Sequence, residues 1–96
     1  MTRAEFIFII GYDGATAIVS GADRRRYGSL STPALLERGL FRAAYASAIY
    51  EDDASKLQLV VSAWNCRQPI PSNAKGLGTV LGVSDVPEGI KNVTAI

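Results

Sequence analysis

Histidine is absent from the 96 residues, and cysteine, methionine and tryptophan each occur once. Without histidine there is no imidazole general base, no Ser-His-Asp or Cys-His nucleophile system, and none of the commonest metal ligand. The single cysteine, Cys66, allows no disulfide within the chain and leaves a one-chain zinc site without its usual donors. This fits a reducing compartment. Long apolar runs are missing as well. The run from Phe6 to Ile10 is too short for the apolar region of a signal peptide. Nothing approaches the roughly 18–20 apolar residues of a membrane-spanning helix. The expectation is a soluble, cytoplasmic protein with no membrane partner. Excess charge of one sign is also lacking. Ten Lys and Arg face nine Asp and Glu, a net charge of +1, whereas nucleic-acid coat and membrane-surface proteins are far more basic.

Apolar residues make up 48 % of the chain and charged residues 20 %, the composition of a globular domain. The length suits one small domain spanning residues 1–96, with a modest core. No internal repeat, low-complexity tract or linker argues for a second.

Residues 5–12 (EFIFIIGY) are aromatic and β-branched and predict a strand apolar on both faces. Asp13-Gly14 supplies the positive φ of a tight turn, and residues 15–20 (ATAIVS) read as the returning strand of a β-hairpin. Residues 21–31 (GADRRRYGSLS) read as a polar loop. Thr32-Pro33 then offers an N-cap hydroxyl and a proline at the first helical position.

Over residues 33–50 the apolar spacing is helical, with Leu36, Leu40, Ala44 and Ala48 in one row and Phe41, Tyr45 and Ile49 in the next. Gly39 marks a break or a close approach within it. Residues 54–64 fit either a helix or a strand, and the acidic cap at Asp52-Asp53 favours a helix, so that residues 33–64 form a helical hairpin. Pro69, Pro71, Pro87 and several glycines loosen the rest, with short strands expected at 79–83 and 92–96. The predicted fold class is α+β: an N-terminal β-hairpin, a long or broken helix, a helical hairpin and an irregular C-terminal segment with short strands.

The most suggestive chemistry is basic. Residues 24–50 hold five arginines against one acid, Glu37, a local excess of +4. Arg24, Arg25 and Arg26 precede Tyr27, and Arg38 and Arg42 lie one helical turn apart. Arginine forks match phosphate and carboxylate geometry, and a tyrosine can stack on a base. These six residues are the candidate surface for an anionic partner. The bland alternative is a solvated loop with salt bridges to Asp23 or Glu37. Glu51-Asp52-Asp53 lacks the alternation and glycine of a calcium loop and reads as a helix end and cap. Gly76-Leu77-Gly78 and Gly82 match neither the dinucleotide nor the P-loop pattern. Cys66 beside Arg67 reads as a semi-buried structural thiol. The ending Thr94-Ala95-Ile96 has the shape of a ligand for a carboxylate-capturing groove, a form that arises often by chance.

No catalytic signature is matched, and no cofactor is implied. The first reading is a small, non-enzymatic interaction or regulatory module. Its apolar surplus on the first strand and around the helix points to a homodimer. The alternatives are a nucleic-acid-binding accessory protein using the arginines, and a small-molecule-binding protein or enzyme without histidine using Asp13, Asp23 or Cys66.

Overall fold

The computed structural model describes residues 1–67, 73–83 and 86–96, and the fold is α+β. The helices are α1 (Arg3–Ile7), α2 (Gly21–Tyr27), α3 (Thr32–Glu37), α4 (Phe41–Glu51), α5 (Ala54–Asn65) and α6 (Ala74–Leu81). The strands are β1 (Ile9–Asp13), β2 (Thr16–Val19) and β3 (Asn92–Ala95). They form one sheet in the order β1-β2-β3, with β1 antiparallel and β3 parallel to the central β2. Pro69 and Pro71 lie outside the described residues.

The hairpin is present, with Gly14 at φ 60° in the turn. The strand predicted over 5–12, however, begins as helix α1. Thr2 and Glu5 form a capping box in which each side chain accepts from the other's backbone N–H. This reciprocal cap turns residues 3–7 helical before the chain extends. Phe6, Ile7, Phe8 and Ile9 are all buried, and only Ile10 emerges, 58 % exposed. The register of β1 on β2 shifts between Ile9 and Gly11, a bulge at Ile10.

The loop expected over 21–31 is also a helix for most of its length. Ser20 caps α2 by accepting from the Asp23 N–H, and Asp23 stands in the first turn, where a negative charge suits the helix dipole.

The break at Gly39 is real and has a clear cause. Leu40 N–H reaches Leu35 O at 3.0 Å and Gly39 N–H reaches Leu36 O at 2.9 Å, while Gly39 sits at φ 73°. This is a Schellman motif closing α3, and a Cβ would oppose its left-handed residue. The α3 cap is Ser31, not Thr32, and Pro33 follows at the second helical position. Thr32 is instead fully buried, its hydroxyl 2.9 Å from that of Ser47.

Helix α4 is the centre of the molecule, touching α1, α3, α5 and α6. All six residues from Ala43 to Ala48 are buried, four of them alanine and one serine. A helix buried on every side needs small residues so that its neighbours can approach. Residues 54–64 are helical within α5, where the Asp53 carboxylate accepts from the Ser55 and Lys56 N–H groups. The helical hairpin of α4 and α5 is therefore present.

The strand expected at 79–83 is instead the end of α6. Asn73 caps this helix, and its Leu77 is fully buried. Gly78 lies against Tyr45 so closely that a Cβ there would be 2.6 Å from the hydroxyl oxygen. β3 matches the strand expected at 92–96. Its backbone continues into an Ile96 carbonyl that accepts from Gly21 N–H, so this ending is engaged by the chain's own fold.

Candidate functional site

An apolar groove of about 420 Å³ opens where the hairpin meets the helices. Residues 7–10 form one wall and residues 39–43 the other, with Asp23 and Trp64 completing it. Each wall follows from a local feature already described. The switch from α1 to β1 brings four consecutive apolar residues past the groove, and the bulge leaves Ile10 facing solvent. The Schellman turn places Leu40, Phe41 and Arg42 opposite them. Phe41 meets Trp64 edge-on, with ring centroids 5.3 Å apart at 78°. The Arg67 guanidinium lies over the Phe41 ring at 5.1 Å.

The structure divides the six predicted binding residues. Arg24 pairs with Glu5 at 3.5 Å, a partner other than the expected Asp23 or Glu37. Arg25 is exposed on α2. Arg26 and Arg38 converge on Tyr27 from different helices, each guanidinium 5.8 Å from the ring centroid. Arg42 borders both the groove and a smaller cavity of about 40 Å³ near Tyr12 and Val83. Arg25, Arg26, Arg38 and Arg42 make no ion pair among the described residues. An arginine without a carboxylate beside an apolar groove can recognise an acidic group on an incoming molecule.

Two carboxylates serve the scaffold. Thr2 N–H donates to Glu5 at 2.7 Å, and this bond above all holds the Glu5 carboxyl below its ordinary range. The Thr2 hydroxyl, Arg24 and the N-terminus act in the same direction, while burial partly opposes them. Asp53 is lowered chiefly by the Ser55 hydroxyl, which donates to it at 2.7 Å.

Of the residues considered for catalysis without histidine, only Asp23 borders the groove. Cys66 is exposed at the end of α5, not semi-buried as expected. Among the described residues no cluster of acidic or thiol side chains could hold a metal ion. No described helix is long and apolar enough to cross a membrane.

Sequence reasoning missed the role of Arg3. Its Nε–H donates to Ser47 Oγ and Glu51 Oε1, both at 3.1 Å. Its Nη1 donates to Gly28 O at 3.2 Å, and its Nη2 to Leu30 O at 2.6 Å and Ser47 Oγ at 2.7 Å. The groove was missed as well. No local signal pairs Ile10 with Trp64, and only the cap spacing Thr2–Glu5 hinted that residues 5–12 were not one strand.

No family model, no curated protein and no solved structure matches the chain.

Proposed function

We propose that this chain is a small non-enzymatic interaction module whose groove receives an apolar, acidic segment of a protein partner. The observation that carries this reading is the exposed apolar wall at Ile10, set opposite Phe41 and Trp64 and bordered by Arg42, which makes no ion pair among the described residues. Apolar contact supplies the affinity, and Arg42 selects the sign of the partner. A nucleic acid fits less well. The groove lining is apolar, and two of the basic side chains, Arg3 and Arg24, already have carboxylate partners.

The chain's single tryptophan, Trp64, reports on the groove directly. A synthetic peptide of alternating leucine and glutamate should shift its emission to the blue in a saturable way. Phe41→Ala should weaken this binding by about tenfold, the scale of losing a buried aromatic contact. Added salt should weaken it further. A leucine–lysine peptide that binds equally well would overturn the reading. So would binding of mixed-sequence RNA in preference to either peptide. An emission shift that depends on protein concentration alone would make a second copy of the chain the occupant, restoring the homodimer expected from the apolar surplus.

A further inference from the structure

We infer that Arg26, Tyr27 and Arg38 form a clamp for a phosphate monoester carried by that partner segment. The identity of the partner rests on the groove reading; the clamp itself rests on separate geometry. Arg26 closes the last turn of α2, and Arg38 is the C-cap of α3. Two different helices thus bring two cations to one ring, each 5.8 Å from its centroid. The ring gives each of them a cation–π contact. The ordinary relief is a carboxylate, and two stand close in sequence: Asp23, one turn before Arg26, and Glu37, next to Arg38. Neither forms an ion pair among the described residues. Neither guanidinium is therefore held in an ion pair within the described fold.

A phosphate monoester suits this arrangement better than a single carboxylate. Its charge approaches −2 and its three oxygens can accept from two forks at once. Tyr27 is a fixed platform because it is partly buried and packs on Phe8, with ring centroids 6.4 Å apart. Phe8 itself lines the groove, and so does Gly39, the residue after Arg38. A phosphorylated side chain on the clamp would leave the neighbouring apolar side chain of the same segment beside the groove.

The test uses the intact chain and two leucine–glutamate peptides, one with a central serine and one with phosphoserine, read by Trp64 emission. The phosphopeptide should bind about tenfold tighter, the usual scale of one or two charge-assisted hydrogen bonds. Arg26→Gln and Arg38→Gln should each remove most of that gain, read within each variant as the ratio of phosphopeptide to serine-peptide affinity. Arg25→Gln should keep the gain. Equal binding of the two peptides overturns the clamp while the groove reading stands, and so does a gain that survives both clamp variants. If neither peptide moves Trp64, the groove reading fails. Inorganic phosphate then decides the clamp: selective shifts of the Arg26 and Arg38 Nε–Hε resonances support it, and their absence overturns it.

Discussion

Arg3 and Arg38 are the same residue type in two very different settings. Arg3 lies where α1 crosses α4, and all three of its guanidinium nitrogens donate, to the carbonyls of Gly28 and Leu30, the Ser47 hydroxyl and the Glu51 carboxylate. Arg38 ends α3 beside an aromatic ring and makes no ion pair among the described residues. Arg24 lies between these extremes, with one half-buried pair to Glu5. A guanidinium leaves water only where acceptors are already arranged to receive it. At Arg3 the α2–α3 loop and α4 present those acceptors together. At Arg38 they do not, and the charge stays available. Net charge and local charge density therefore say little about which arginines hold the fold and which face a partner.

The largest expected effect is at Arg3. Arg3→Met should cost about 3 kcal/mol, because it removes the donor to the buried Ser47 hydroxyl and the part-buried Leu30 carbonyl. Arg38→Met should stay within about 0.5 kcal/mol, as an exposed change does. Urea unfolding of both variants measures the contrast, and equal losses would erase it. Next comes the packing of α4, which carries Ser47. Gly78→Ala forces a methyl against the buried Tyr45 ring and should cost about 1–3 kcal/mol, read by the thermal midpoint.

A smaller loss, about 1 kcal/mol, is expected for Gly39→Ala, which opposes the positive φ of the Schellman turn. Because that turn sets Arg38 and Phe41, the variant should also weaken peptide binding at Trp64, whereas Gly78→Ala should not. The smallest effect concerns Glu5. Its carboxyl is held below the ordinary value of 4.5, so its stabilising contribution is complete above that value. The contribution is lost as pH falls through the lower, folded-state pKa. Glu5→Gln should flatten that part of the acid-unfolding curve, followed by circular dichroism. An unchanged curve would mean that the cap and the Arg24 pair add nothing.

Much of the architecture was readable in the chain. Gly14 marked the hairpin turn and Gly39 the helix break, because both positions need a φ that other residues resist. Asp53 ahead of residues 54–64 correctly favoured a helix. The misreadings share one cause. Residues 5–12, 21–31 and 79–83 were judged by apolar content and polarity, while the deciding groups were single capping side chains at Thr2, Ser20 and Asn73. A short apolar run suits a strand or a buried helical turn equally, so one hydrogen bond at its start tips the balance.

The candidate site was half legible. Tyr27, Arg26 and Arg38 stood out by type, but nothing local said that they meet, or that Arg24 would be tied to Glu5. Turn positions, helical periodicity, the α+β class and the absence of imidazole chemistry follow from the sequence alone, since each depends on residue identity or on neighbours a few positions away. Tertiary structure alone decided which charges are compensated and which apolar side chains line a groove. Arg3 meets Ser47 and Glu51 across 44 and 48 residues of chain, and the cost of burying a charge depends on whichever groups the fold brings to it.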